Sequence, residues 1–284
     1  MKTSVIRSFA KINICLDIVG TRDDGYHLLD MVMLPIELHD SIVLSELKRA
    51  PDNMFSMDDY THGVLDYNVV IQVLNAFSRK YQFDNKFSIN IHKVVPMQAG
   101  LGGGSSNAAF TLQGVNKMLK INAPIEELIE LTTPYGADIP FFLKCEPARC
   151  QGIGEELAPI KVKNDYYVLL VKPADGCPTS EIYKISDSMN LRTGNVKNVI
   201  KALEEGDDEL LATSIFNALE APAASLVPEI YLIKEEMKSL GLKIVQMTGS
   251  GSAVFAMSTD KKLIKKAAKC FENRYKTIIT KILK

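Results

Sequence analysis

The stretch Pro96-Met97-Gln98-Ala99-Gly100-Leu101-Gly102-Gly103-Gly104-Ser105-Ser106-Asn107 places four glycines and two serines ahead of an alanine-rich apolar run. Glycines lack a Cβ, so backbone N–H groups can approach a phosphate closely. A helix starting there adds unpaired N–H groups and the positive end of its dipole. The chemistry this pattern suits is phosphate binding. It is not a Walker A loop, because no Gly-Lys-Ser/Thr closes it. It is not the dinucleotide fingerprint either, since it lies far from the N-terminus and no acidic residue follows at the required distance.

Asp138, in Pro134-Tyr135-Gly136-Ala137-Asp138, has the chemistry of a proton acceptor. It is equally suited to capping a helix or closing a turn. Lys11 and Asn13 lie two apart on a strand and share a face; a strand lysine can also simply point at solvent. Tyr26 and His27 follow a turn, where ring packing and loop hydrogen bonds are ordinary roles. Asn68 lies near a helix start and suits a cap as well as a ligand. His39, His62 and His92 carry no assigned role.

These residues need elements to hold them. Ile6 to Val19 alternates, with Ile12, Ile14, Leu16 and Ile18 on one face and Lys11, Asn13 and Asp17 on the other, which predicts a half-buried strand. Further strands are expected at Met31–Leu44 and Phe87–Val95, with a helix over Asp66–Phe77 between them. Ala108, Ala109, Leu112, Val115 and Leu119 recur at helical spacing over Ser105–Leu119, and Ile125–Leu131 makes a second helix. After Gly152-Ile153-Gly154-Glu155 the pattern becomes strand (Tyr166–Val171), helices (Lys197–Leu219 and Ile230–Leu240), two short strands (Leu242–Met247 and Ala253–Met257), helix (Lys261–Phe271) and strand (Thr277–Leu283). That order fits a ferredoxin-like second domain. The expected division is 1–160 and 161–284. Lys261, Lys262, Lys265, Lys266 and Lys269 read as the solvated face of the last helix.

The whole chain has 284 residues, 46% hydrophobic and 24% charged, which excludes disorder and allows a large core. A net charge of −1 gives no field favouring nucleic acid or a membrane, so an anionic ligand must be held by local geometry. The five cysteines are odd in number and scattered, and no zinc set surrounds Cys145 and Cys150, which predicts reduced thiols. No secretory core and no membrane-length apolar run is present. The expectation is a cytoplasmic protein without nucleic-acid or membrane partners, monomeric or weakly dimeric.

The motif Pro-x-x-x-Gly-Leu-Gly-Gly-Gly-Ser-Ser resembles the phosphate loop of the GHMP kinases, named for galactose, homoserine, mevalonate and phosphomevalonate. Phe9-Ala10-Lys11-Ile12-Asn13-Ile14 resembles the family's first motif, and Thr248-Gly249-Ser250-Gly251-Ser252-Ala253-Val254-Phe255 its third. Gly20-Thr21-Arg22-Asp23-Asp24-Gly25-Tyr26-His27, Gly136-Ala137-Asp138-Ile139-Pro140-Phe141-Phe142, Gly152-Ile153-Gly154-Glu155 and Thr179-x-x-x-Tyr183 are similar to the branch acting on a cytidine diphosphate-linked methylerythritol. Gln98, where a small residue is common, and Ala218, where Asp is usual, depart from it.

The resemblance implies an α+β GHMP kinase architecture, with an N-terminal domain like the second domain of ribosomal protein S5 and a ferredoxin-like C-terminal domain. It implies transfer of the γ-phosphate of ATP, with Mg²⁺, to the 2-hydroxyl of a small cytidine diphosphate-linked substrate on the non-mevalonate route to isoprenoid precursors. By the same resemblance Asp138 and Lys11 are a catalytic pair. Residues Pro96 to Ser106, with Asn68, hold ATP. Asn13 meets the methylerythritol part, Tyr26 and Tyr183 stack on cytosine, His27 bonds its edge, and Thr179 contacts substrate. The rivals are a sibling GHMP kinase for mevalonate or phosphomevalonate, which needs no base sandwich, and a non-catalytic metabolite-binding regulator on the same fold.

Overall fold

Two long strands open the chain, β1 (Thr3–Thr21) and β2 (His27–Leu47), as expected from their alternating, β-branched sequences. In this computed structural model, which describes residues 2–58 and 68–284, the chain forms two compact units. The first comprises Met1–Ala10, Leu38–Val95 and Gly102–Cys145; the second comprises Lys11–Glu37, Pro96–Leu101 and Glu146–Lys284. The expected start of the first helix at Asp66, and His62, lie outside the described residues.

In the first unit β4 (Lys86–His92) pairs antiparallel with β2 from Ser41↔His92 to Leu47↔Lys86. The short β3 (Met54–Met57) adds to β4 in parallel. Helices α1 (Val69–Tyr81), α2 (Gly103–Leu119), α3 (Ile125–Thr132) and α4 (Ile139–Lys144) pack on one another. Val70, Leu74 and Phe77 of α1 and Ala108, Ala109, Leu112 and Val115 of α2 are buried, as their spacing requires. Gly114 lets this helix approach the sheet: a Cβ there would overlap Ile6 and press on Leu44 at 2.9 Å. His39 meets Phe9 edge-on with ring centroids 5.5 Å apart, and His92 bonds Asp58 at 3.0 Å.

In the second unit β5 (Ala148–Gly152) pairs with the Leu29–Met33 stretch of β2 and with β6 (Glu156–Pro159). Strand β7 (Tyr167–Lys172) precedes α5 (Thr179–Ser186), α6 (Val196–Glu205) and α7 (Asp208–Ser214). Then come the two-residue β8 (Phe216–Asn217), α8 (Glu220–Leu226), α9 (Glu229–Ser239), β9 (Ile244–Met247), β10 (Val254–Ser258), α10 (Lys261–Phe271) and β11 (Lys276–Lys281). The sheet order β11-β7-β10-β9, antiparallel throughout, agrees with the ferredoxin-like domain that the order of elements along the chain predicts. Helices α9 and α10 cover it. The lysines of α10 are exposed while Ile264, Ala267, Ala268 and Phe271 are buried, so the solvated-face reading holds.

The half-buried expectation for the first strand is corrected. Lys11, Asn13 and Asp17 are 3%, 1% and 7% exposed, so both faces are covered. Period-two patterning places polar residues on a common face but does not say that water covers it. The cysteines are all free. Burial pushes Cys15 up to about 12 and Cys145 and Cys177 up to about 11, so these thiols serve as packing groups. No helix among the described residues is long and apolar enough to cross a membrane.

Asp17 is the least satisfied of these buried groups. The Gly194 N–H reaches one carboxylate oxygen at a long 3.5 Å, the Ile18 N–H gives a further weak backbone contact, and Oδ1 has no hydrogen-bond partner among the described residues. Burial, reinforced by the charge of Asp30, raises its carboxyl above the ordinary aspartate value. The folded chain therefore holds this proton more tightly than the unfolded chain, and the stabilisation is lost as pH rises through the folded pKa. Asp17→Asn should raise Tm at pH 7 by roughly 2–4 °C, the shift expected for about 1 kcal/mol in a chain of this size. The gain should shrink as pH falls into the acid range. A lower Tm at pH 7 would mean that the charge itself supports the fold.

Candidate active site

The glycine-rich loop leaves β4 through Pro96 and enters α2 at Gly103, two residues earlier than its apolar spacing indicates. Gly102 is the N-cap, with φ 69° and ψ 17°, a left-handed conformation open to glycine at little cost. It has no side chain to bond the first N–H groups, and no acidic residue occupies the first turn. The other end of the turn is fixed: the Ser106 N–H bonds Gly102 O at 2.9 Å and the Ser106 hydroxyl donates to Phe9 O at 2.6 Å. A Cβ on Gly104 would meet nothing within 4 Å, so the space beside it is open. The helix start is thus uncapped, held in place and approachable, which suits an anion.

Asp138 lies in this same unit, at the N-cap of α4. Its side chain makes no capping bond, so the cap role left open by the sequence is not the one it plays. Gly136, two residues earlier, brings the backbone close to the α2 start: a Cβ there would lie 3.5 Å from the Ser105 hydroxyl. Asn68 does cap a helix, its side-chain oxygen accepting the Val70 N–H at 2.9 Å at the head of α1.

The second unit assembles the other polar residues. Lys11 and Asn13 face the same way on β1, and the Lys11 ammonium donates to Asn13 Oδ1 at 2.5 Å. The Lys11 N–H bonds Leu101 O at 3.2 Å, which fixes the strand against the glycine-rich loop. Thr248 ties both to the turn between β9 and β10. Its hydroxyl accepts the Asn13 N–H at 2.9 Å and donates to Gly100 O at 3.2 Å. Gly100 has φ +71°, and any Cβ there would overlap the Thr248 carbonyl oxygen, so only glycine fits. Buried Asn217 supports the turn from below, donating to Met247 O at 3.0 Å and Gly249 O at 2.8 Å.

His27 and Tyr183 pack together with ring centroids 5.0 Å apart and planes 31° apart. His27 Nε2 lies 2.7 Å from the Asp187 carboxylate, which can only accept, so Nε2 carries a proton. Tyr26 is 60% exposed beside it in sequence, and the Thr179 hydroxyl lies 3.0 Å from the Ser250 hydroxyl. Gln98, the departure in the loop, has φ 49°, and its carbonyl accepts the Cys177 N–H at 3.2 Å. Gly176 makes room for it, since a Cβ there would sit 2.6 Å from the Gln98 side chain. Thr248, Asn217 and Asp187 carried no role in the sequence reading. Thr248 stood inside a recognisable glycine-rich turn, whereas nothing near Asp187 marks it.

Residues 68–145 match the model of the GHMP kinases N terminal domain and residues 199–277 that of the GHMP kinases C terminal domain. The chain is 37% identical over 250 residues to 4-diphosphocytidyl-2-C-methyl-D-erythritol kinase of Bacillus velezensis, covering 87% of this chain and 86% of that one. It is 36% identical over 269 residues to the protein of the same name from Clostridium botulinum, covering 94% of each. A crystal structure of 4-(cytidine 5'-diphospho)-2C-methyl-D-erythritol kinase superposes with a TM-score of 0.81 at 27% identity, over 98% of this chain and 99% of that one. With both domain models matched and relatives this similar along most of its length, the chain belongs to the GHMP kinase family.

Proposed function

We propose that this ATP-using kinase transfers the γ-phosphate of ATP to the 2-hydroxyl of 4-diphosphocytidyl-2-C-methyl-D-erythritol, in the cytoplasm and as a monomer or weak homodimer. The observation that carries the substrate is the packing of His27 on Tyr183 beside exposed Tyr26. A kinase for mevalonate or homoserine has no use for a base-binding group of this kind. The names of the relatives support the same reading.

In this reading the loop from Pro96 to Ser106 cradles the ATP phosphates, using the uncapped start of α2, and Asn68 contacts adenine. Asp138 accepts or orients the proton of the attacking hydroxyl, and the buried Lys11 ammonium supplies positive charge to the reaction. Asn13 contacts the methylerythritol part and Thr179 the substrate, while Tyr26 and Tyr183 stack on cytosine and His27 recognises its polar edge. Mg²⁺ would arrive with ATP. Ser105 and Asp138 offer hard oxygen donors, and no cluster of three or more His, Cys, Asp or Glu that could hold a metal occurs among the described residues. Phosphate and water oxygens would then provide most of its coordination. We assign the ATP-binding domain to 1–160 and the ferredoxin-like domain to 161–284 on the positions of the two family matches, 68–145 and 199–277; the two compact units are interleaved in sequence and do not divide at this point.

Asp138→Asn keeps the shape of the side chain and removes its charge. It should lower kcat by roughly 10²–10⁴-fold with ATP affinity little changed. Near-normal kcat in the folded variant would remove Asp138 from the proton path.

The base site is tested by titrating CDP, UDP and ATP analogues into the wild type and the Tyr26→Ala, Tyr183→Ala and His27→Ala variants. Each stacking face should contribute about 1–3 kcal/mol, so either tyrosine change should weaken CDP binding and leave ATP binding nearly unmoved. His27→Ala should narrow the preference for CDP over UDP, because a site that hydrogen-bonds a base edge rejects ligands that leave its polar groups unpaired. A wild type that binds CDP and UDP equally would contradict the cytidine assignment.

A further inference from the structure

Asp40 on β2 is fully buried, and none of the assigned roles uses it. One of its oxygens accepts the backbone N–H groups of Val94 and Val95 at 2.7 and 2.8 Å. The other accepts the Asn107 amide at 3.1 Å and the ammonium of Lys93. Asn107 is fixed in turn by the Ser8 hydroxyl, which donates to its carbonyl oxygen at 2.6 Å. A carboxylate has about four lone-pair sites, and here four donors fill them.

The placement of those donors gives the network its meaning. Val94 and Val95 are the last residues before Pro96, where the phosphate loop begins, and Asn107 lies just past the uncapped first turn of α2, where it ends. One side chain therefore holds both ends of the loop. The Lys93 ammonium, anchored by the same carboxylate, lies 3.2 Å from the position a Cβ on Gly103 would take, at the first residue of α2. We propose that Asp40 is a positioning residue for phosphoryl transfer: it sets the spacing between the strand exit and the helix start, so that the first-turn N–H groups face the phosphates. The proposal rests on the reading of this loop as the ATP phosphate site.

An amide cannot replace this carboxylate. Asparagine would turn an NH₂ group toward two of the four donors and leave the Lys93 charge without its counter-ion. Initial rates of the full-length protein should be measured against ATP and against the alcohol substrate separately, with Tm, for Asp40→Asn, Asn107→Ala and Gly104→Val. Asp40→Asn should raise the KM for ATP by about tenfold and leave that of the alcohol within about twofold, and Asn107→Ala should act in the same direction more weakly. A purely structural role would lower Tm and leave both KM values in place, which would overturn the proposal. If Asp40→Asn fails to fold, Asn107→Ala decides alone: an unchanged KM for ATP overturns the proposal and a raised one supports it. Gly104→Val separates the two levels of the argument. Its Cβ projects into open space, so it should weaken ATP binding without loss of Tm. A Gly104→Val enzyme with normal ATP binding would remove the phosphate-site reading and the proposal with it, whereas impairment in Gly104→Val alone would overturn only the role of Asp40.

Discussion

The hydroxyl of Thr248 is the point at which three distant parts of the sequence become one site. It takes a hydrogen bond from the strand that carries Lys11 and Asn13 and gives one to the backbone of the glycine-rich loop. Contact this close is possible only because residue 100 has no Cβ. The turn that presents Thr248 is itself fixed, since Asn217 bonds carbonyls on either side of it. A lost partner in such a buried network leaves polar groups unsatisfied at about 1–3 kcal/mol each, so the arrangement has a steep minimum. The three motifs are far apart in the chain for a plain reason: each supplies one side of this junction.

A second constraint is electrostatic. Helices α1, α6, α7 and α10 begin with Asn68, Asn195, Asp207 and Asp260, whose side chains bond the first free N–H groups. Helix α2 begins with glycine and has no such bond. Helices α3, α5, α8 and α9 also lack a side-chain cap but carry a glutamate in the first turn, and α4 starts at Asp138; α2 has neither a cap nor a carboxylate there, so the positive end of its dipole is uncompensated.

Much of this was legible because it is written in local patterns. The glycine loop, the succession of strands and helices in the ferredoxin-like part, and the shared face of Lys11 and Asn13 follow from spacing and turn chemistry. What the sequence hid depends on tertiary contact. The strands at Met54–Met57, Ala148–Gly152 and Glu156–Pro159 are too short for periodicity, and their pairing partners define them. Burial of both faces of the first strand is set by what packs over it. Gln98 looked like a misfit until Gly176, far along the chain, was seen to supply its space. Asp40 carried no signal, because its four donors come from residues 93 to 107 and meet it only after folding.

The account turns on which alcohol receives the phosphate. Purified protein with ATP and Mg²⁺ should be offered 4-diphosphocytidyl-2-C-methyl-D-erythritol, mevalonate and galactose in parallel, with ADP release and the phosphorus spectrum of the products recorded. The account predicts turnover of the cytidine compound alone, with one new monoester phosphorus at the 2-position. Equal or faster turnover of mevalonate, or no ADP release with any acceptor, would contradict it.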